Sequence, residues 1–554
     1  MDEARSSSTA GIRDQLTKRL EALKGVRRDY DDEIREIARF AQPARSRFLA
    51  GNKDEPGKRR LRNRKLLDSH GIEAFRTLTN GMTSGLSSPS RPWFTLRLPD
   101  EDLNEQPGVR EWLSDVERRI YAFLSSTNFY GAVKSGYAEL GLFGTEACIM
   151  MAHRSVGAVC HQLTFGEYWI ALDDSLTADT LYRRCPITVR QAMQMFGNSV
   201  SNRIRTDYDK GNYTTEVNAY HAIERDSEYD PHRFGSKPYR SVYWDADDSR
   251  DTVLRKSGFD SKPFWAPRWD VVGGDTYGVS PGMEALPALR ELQMQSKRRN
   301  EAIDQMVKPE MGVPAGVRLT GEPGRKFSTS GLTQDQVVIP YQVPYQSVAA
   351  IGAEIEKCQQ QIDALSYADL FNAITNMRGI QPRNMEEIAS RNEEKLTQLG
   401  PVIERVNSEK LEVAIDRTFE IMSAGNLLPP VPEALAGSPI DIEFVSILSQ
   451  MQRMVGLGQI EKAAGFAGNA AGAFPDILDN FDSDEMAREY ASRAGTPPKI
   501  IRPMQKVEEI RAQRAQQQQM QQMAEMAAPA KDGIEAARLL SESDLGTQAP
   551  VPAL

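Results

Sequence analysis

Apolar positions recur along this chain in two rhythms, and the shift from one to the other divides it. Leu16, Leu20, Leu23, Val26, Ile34 and Ile37 fall at helical spacing among charged residues, which predicts a helix over residues 11–40, ended by Pro43. A second helix is expected from Ser69 to Leu86, running into the turn-rich stretch Ser87–Trp93. A third covers residues 108–140, with Trp112, Val116, Ile120 and Phe123 on one face. The period then drops to two. Ala147–Ala152, Val159–Leu163, Tyr168–Leu172, Thr180–Arg184, Val217–Ile223 and Arg240–Trp244 read as short strands, joined by turns such as Asp173-Asp174-Ser175. This half is α+β.

From Ser280 the helical rhythm returns. Pro281 sits in the first turn, where proline is tolerated, and Leu286, Leu289 and Leu292, then Ile303 and Met306, mark one side before Lys308-Pro309 closes the helix. Residues 307–345 are rich in Gly and Pro, with strand-like runs at Gly316–Leu319 and Gln336–Ile339. Over Gln346–Leu370, Ile351, Ile355, Cys358, Ile362 and Leu365 make a narrow seam suited to packing helix on helix. At 1.5 Å per residue that helix is roughly 37 Å long. Asn372–Asn384, with Gly379 and Pro382, breaks the pattern. A long helix is expected over Met385–Ala424, with one stripe of Leu396, Leu399, Ile403 and Val406 and another of Leu411, Ile415, Phe419 and Met422, and a kink at Pro401. Leu427–Pro439 reads as a Pro-rich linker and residues 446–495 as short Ala/Gly-rich helices. A helix of modest stability at Lys506–Ala528 is expected to give way to disorder.

Composition narrows what such a chain does. At 554 residues it exceeds one compact core, so sub-domains are expected. Its longest apolar runs, such as Ala147–Ala152, are far short of the ~20 residues of a membrane helix. The start, MDEARSSSTA, lacks the apolar core of a signal peptide, which points to a cytoplasmic origin. The four cysteines (Cys148, Cys160, Cys185, Cys358) fit no disulfide framework. Cys148, His153, Cys160 and His161 are close in sequence but lack zinc-ligand spacing, and a β-hairpin with buried thiols accounts for them. The basic run Lys58, Arg59, Arg60, Arg62, Arg64 and Lys65 lies in a loop over residues 51–65 and reads as a solvated face ahead of the alternative, a functional patch. Net charge is −9, which argues against tight phosphate binding over the whole surface but does not argue against a protein that lets DNA slide past. A P-loop is missing: after Gly316–Gly321 comes Glu322 where the phosphate-binding lysine should stand. None of the five histidines (His70, His153, His161, His221, His232) sits in a recognisable acid/base arrangement. The acidic groups Asp173-Asp174 and Asp245-Asp247-Asp248 fall at turns, where Asp is favoured for backbone reasons. No catalytic residue, cofactor or metal site is expected.

Three segments resemble the head-to-tail connector (portal) family of T7-like short-tailed bacteriophages: Gly81–Asp100 (GMTSGLSSPSRPWFTLRLPD), Gly274–Gln293 (GDTYGVSPGMEALPALRELQ) and Met385–Leu411. Their order and spacing fit the family over roughly Arg27 to Pro430, and the likeness is poor beyond. Family members often carry Thr-Ala-Thr-Glu where Asn384-Met385-Glu386-Glu387 stands here, a departure that leaves the helix intact. The resemblance implies the α+β portal fold of wing, two-helix stem, clip and crown, assembling into a ring, usually of twelve copies, at one capsid vertex. The N-terminal α+β part of the wing would be residues 1–279, the stem helices 280–306 and 346–371, and the clip 307–345. The channel loop would be 372–384, the kinked wing helix with its linker 385–445, the crown 446–497, and the Gln/Met-rich tail 498–554, as a helical barrel or disordered. The ring would pass double-stranded DNA during packaging and ejection. It would dock the terminase large subunit and then a tail adaptor, and contact major capsid, scaffolding and internal core proteins, with no membrane partner. It would be assembled in the host cytoplasm and end in the virion. Lys297, Arg298 and Arg299 on the first stem helix could form a basic ring or meet Glu354 and Glu356 of the other stem helix. Asn376, Arg378, Gln381 and Arg383 would face the channel from the loop. Competing readings are another structural head protein or tail adaptor, a packaging ATPase and a nuclease. The first is disfavoured by the helix–clip–helix order and the second by the missing P-loop; the third would need the acidic turns to bind a divalent ion.

Overall fold

The computed structural model describes residues 3–43, 66–100, 103–104, 106–248, 253–309, 311–314, 326–329, 342–375, 393–432, 435, 439–448, 457–472, 474–493, 502 and 506–517. They form two compact units, Met1–Val455 and Gly456–Leu554.

The first unit opens with α1 (Glu3–Ala41), which serves two cores. Leu16, Leu20 and Leu23 pack on Trp169, Tyr182, Val242 and Trp244, whereas Ile34 and Ile37 enter the main core; Val26, placed by its spacing in the same stripe, is half exposed. Next come α2 (His70–Leu86) and β1 (Phe94–Arg97). Residues 108–140, expected as one helix, are two: α3 (Pro107–Ser126) and α4 (Phe129–Phe143). The cause lies in two side chains that compete for backbone groups. Thr127 Oγ1 donates to Leu124 O and accepts from Phe129 N, and Asn128 bonds both the N–H and the C=O of Cys160 at 2.8 Å.

The strands follow. β2 (Ala147–His153) and β3 (Gly157–Leu163) make a hairpin, which later gains β9 (Phe264–Trp265). Met150 opposes Cys160, so Cys148 and Cys160 share one face, both buried, while His161 points to the other. The hairpin with buried thiols expected from the sequence is therefore present, and the two histidines do not converge on the thiols. β4 (Tyr168–Leu172), β5 (Ala178–Thr188), β6 (Glu216–Arg225), β7 (Tyr239–Asp245) and β8 (Val253–Phe259) form an antiparallel sheet in sequence order. Two short helices, α5 (Val189–Phe196) and α6 (Asn202–Asp209), each capped by a hydroxyl (Thr188, Ser201), cover one face of it. The acidic turns are more occupied than turn chemistry requires. Asp173 accepts from Ser175 and Thr177, whereas Asp245 ends β7 in the interior, bonded to Ser201 Oγ at 3.0 Å.

Ser280 caps a single turn, α7 (Pro281–Glu284), and α8 (Leu286–Val307) continues from it. β10 (Met311–Pro314) and β11 (Lys326–Thr329) pair in parallel; the runs expected at 316–319 and 336–339 lie outside the described residues, as does the basic stretch within 51–65. α9 (Tyr345–Leu365) stops five residues before its expected end at Leu370. Tyr367 adopts a left-handed φ of 55°, and helix resumes as α10 (Ala368–Thr375), so Asn372–Thr375, expected in a loop, are helical.

The long helix is described from Glu393 as α11 (Glu393–Val406), a π turn at Asn407–Glu412 and α12 (Val413–Ala424). Pro401 lies inside α11, but the irregular backbone falls after it. The sequence holds the reason: Val406 and Leu411 are five apart, where an α-helix places neighbours of one stripe at three or four, and the π turn absorbs the surplus. β12 (Asp441–Phe444), in a stretch read as following a linker, pairs with β1. Leu448 packs on Gly85, within the first unit. In the second unit, α13 (Leu457–Ala471) and α14 (Ser483–Arg493) are followed by a helix at 506–517, tied to α14 by Arg511 and Asp484 at 2.6 and 2.7 Å.

Candidate functional site: a rooted helix pair and its buried anchor

α8 and α9 pack along each other, and both change character midway. Leu286, Leu289, Leu292 and Ser296 on α8, and Ile355, Cys358 and Ile362 on α9, are buried. Beyond Ser296, and before Ile355, no residue of either helix is buried. The buried halves lie at opposite ends in sequence, so the two run antiparallel, with one end rooted and the other projecting. At 1.5 Å per residue each is about 32 Å long.

The root is built from close packing and side-chain clamps. Glycine makes the approach possible: a Cβ on Gly71 would lie 2.5 Å from Leu289, and one on Gly282 would lie 2.3 Å from the Leu142 carbonyl. Ser280 Oγ donates to that same carbonyl at 2.8 Å. The segment entering α2 is held between the helices. Gln293 Oε1 accepts from the N–H of Leu67 and Asp68, Gln359 donates to Asp68, and His70 meets Asp363 at 2.9 Å.

The basic triplet sits on the projecting part. Lys297 pairs only loosely, at 3.6 Å, with Glu301 of its own helix, and both are mostly exposed. Glu354 pairs within α9, with Lys357 at 3.7 Å. Neither Glu354 nor Glu356 meets the triplet within the chain, and Arg298 and Arg299 have no ion pair among the described residues. Apolar residues are exposed nearby: Met294, Ile303 and Val307 on α8 and Tyr345, 74% exposed, on α9. Asn376, Arg378, Gln381 and Arg383 lie outside the described residues, but the elements that flank them are fixed. Phe371 of α10 fills the notch at Gly81, where a Cβ would sit 2.1 Å from its ring, and Asp369 of α10 pairs with Lys395 of α11.

Sequence reasoning passed over the charges beneath this assembly. Lys410, in the π turn, is fully buried and bonds Glu146, also fully buried, at 2.8 and 3.0 Å. Its ammonium lies 3.8 Å from the centroid of the Tyr137 ring, and Trp265 Nε1 donates to Glu146 at 3.2 Å. Burial pushes the Glu146 carboxyl up and the Lys410 amine down, and each partner opposes the push on the other. Arg268 and Glu409 make a second, nearly buried pair at 3.1 Å. In the five-stranded sheet His221 is fully buried and stacks on Tyr243; it accepts from Arg183 Nε at 3.1 Å, so the ring is neutral and its Nε2–H donates to Ser241. Burial first, and then Arg183, hold its pKa well below the usual histidine range. The one available signal for Lys410 was its place beside Leu411 in an apolar stripe.

Among the described residues no three His, Cys, Asp or Glu side chains are grouped to hold a metal, and no helix is long and apolar enough to cross a membrane. The arrangement is that of a scaffold: a stiff pair of helices, tightly rooted, projecting from a mixed core.

Comparison with known proteins agrees. Residues 13–501 match the family described as bacteriophage head to tail connecting protein, a wider span than the three segments had suggested. The portal protein of Salmonella phage epsilon15 is 35% identical over 510 residues, covering 90% of each chain. The probable portal protein of Bordetella phage BPP-1 is 35% identical over 504 residues, again covering 90% of each. The chain belongs to this family of portal, or head-to-tail connecting, proteins of tailed phages. A chain from the virion of a native gene transfer agent particle superposes with a TM-score of 0.34 at 12% identity, over 78% of this chain and 92% of that one, too weakly to bear on the fold. The names of the family and of its members describe a structural component of the phage particle at the head–tail junction.

Proposed function

We propose that this chain forms a ring, usually of twelve copies, whose central channel carries double-stranded DNA into and out of the capsid. The observation that supports this reading is the projecting half of the α8/α9 pair. It exposes Ile303, Val307 and Tyr345 and has no core of its own, which is how a surface completed by neighbouring copies is built. In that reading α8 and α9 are the stem, residues 307–345 the clip, the chain after α10 the channel loop, and the second unit the crown. The helices are about as long as one turn of B-DNA, roughly 34–36 Å.

Lys297, Arg298 and Arg299 then form a basic collar, and Asn376, Arg378, Gln381 and Arg383 face the lumen. With a net charge of −9 per copy the ring holds DNA weakly and lets it slide. The chain is not an enzyme: the work of translocation comes from a terminase large subunit docked on the clip, replaced afterwards by a tail adaptor. Major capsid, scaffolding and internal core proteins contact the rest of the ring. Negative-stain images of the purified protein test the proposal. Rings with a central hole and about twelve-fold symmetry are expected; shells or monomers overturn it.

A further inference from the structure

Gln293 of α8 and Gln359 of α9 bond the same residue, Asp68. Gln293 holds its N–H and its C=O, and Gln359 donates to its carboxylate at 3.3 Å. The two glutamines therefore stand at about one level of the antiparallel pair, and other residues are placed by counting 1.5 Å per residue from them. Arg298 lies five residues beyond Gln293 toward the projecting end, about 7.5 Å. Glu356 lies three residues from Gln359 in the same direction, about 4.5 Å.

An exposed cation and an exposed carboxylate thus stand within about 3 Å of one level, and neither has an ion pair among the described residues. Their own helices offer them no free partner. Three and four residues from Glu356 stand Gly352, Ala353, Gln359 and Gln360. At those spacings from Arg298 stand Met294, Gln295, Glu301 and Ala302, of which Glu301 faces Lys297.

The surfaces around the two charges complement each other in shape. Ala349, Ala353 and Glu356 recur at i, i+4 and i+7, which puts them on one face of α9, and all three are exposed. A Cβ on Gly352, beside them, would meet no atom of another element within 4 Å. That face is smooth and open, and small side chains let a second helix approach closely. Met294 and Arg298, four apart, put two long exposed side chains on one face of α8.

We infer that the Met294/Arg298 face of α8 in one copy packs on the Ala349/Ala353 face of α9 in the next, with Arg298 paired to Glu356 across the joint. This rests on the ring reading above and adds which faces of the helix pair meet. Rotation about the channel axis leaves height unchanged, so residues level within one copy are level between copies when the pair runs along the channel. Each copy gives α8 to one neighbour and α9 to the other, the head-to-tail contact that closes into a ring. Within the basic collar, Arg298 then serves the joint between copies.

Charge reversal in the full-length protein tests the pairing, with the ring fraction read by analytical ultracentrifugation. Arg298→Glu and Glu356→Arg, each alone, set like charges against each other at every joint. Each is expected to raise the concentration for half assembly by about tenfold. Both positions are exposed, and circular dichroism checks that each variant is folded. An equimolar mixture of the two variants is expected to assemble at the wild-type concentration, because alternating copies again oppose unlike charges at every joint. Single variants that assemble like the wild type overturn the inference. So does a mixture that stays impaired, and recovery only in the double variant Arg298→Glu/Glu356→Arg would place the pair within one copy. A wild-type chain that forms no ring overturns the reading beneath, and this inference with it.

Discussion

Lys410 and Lys297 show what a lysine on a helix contributes in two places of one protein. Lys410 has no exposed surface, lies against an aromatic ring and holds one carboxylate at hydrogen-bond distance. Lys297 is two-thirds exposed, and its carboxylate is 3.6 Å away in solvent. Removing water makes the first charge expensive to leave alone, and retaining water makes the second nearly free. The buried lysine fixes the fold. The exposed one, with Arg298 and Arg299, is available to something outside the chain.

The largest effect that would break this contrast is on the buried side. Lys410→Met leaves Glu146 buried without its cation and is expected to cost about 3–5 kcal/mol of stability, read as a lower melting temperature. Lys410→Met combined with Glu146→Leu is expected to recover most of that, because an apolar pair of similar volume carries no desolvation cost. His221 extends the contrast to a group kept neutral by burial. Its folded pKa lies below its unfolded value, so its stabilisation is present above the unfolded pKa near 6.5 and is lost as pH falls toward the folded one. Chemical denaturation is expected to show stability falling by up to about 1.4 kcal/mol per pH unit below pH 6.5 from this group. His221→Gln should remove that share of the slope.

Smaller changes sharpen the comparison along the helix pair. Ser296 is buried on α8 with its hydroxyl unbonded, so Ser296→Ala is expected to be neutral or to stabilise by up to about 1 kcal/mol in the same denaturation assay. Lys297→Ala with Arg298→Ala and Arg299→Ala is expected to leave stability within about 0.5 kcal/mol. Its effect should appear instead in the salt dependence of DNA retention. The slope of log affinity against log salt should become shallower by about 0.9 for each phosphate that the triplet no longer neutralises. An unchanged slope would place the triplet away from DNA.

Periodicity made much of this architecture legible. Helical stripes in 11–40 and 69–86, the stripe of 346–370 as far as Leu365, and the alternating strands named their elements correctly, because each buries one face and the burial selects the apolar positions. What it missed depends on single side chains or on distant partners. Nothing in the spacing of 108–140 says that Thr127 and Asn128 will take backbone bonds and end a helix there. Phe94–Arg97 finds its partner some 350 residues later, at Asp441–Phe444, a pairing no local pattern encodes. The basic triplet was visible as charge, but whether α9 would neutralise it was a question of packing. The Glu146–Lys410 pair was the least legible, since an isolated charge in an apolar stripe gives no sign of which distant residue answers it.

The five-residue step from Val406 to Leu411 is best understood as stored arc. An α-helix turns about 100° per residue, so one surplus residue, left unabsorbed, would rotate everything after it by that angle. The π turn takes up this surplus, and it lets two consecutive residues, Lys410 and Leu411, both face inward. Deleting one residue between Asn407 and Glu412 would remove that surplus, leave Val406 and Leu411 at ordinary helical spacing and restore α-helical winding with Ile415 and Met422 still facing the core. The length of this helix is therefore set by angle: one residue can be lost here only together with the π turn, and any other change must come in whole turns.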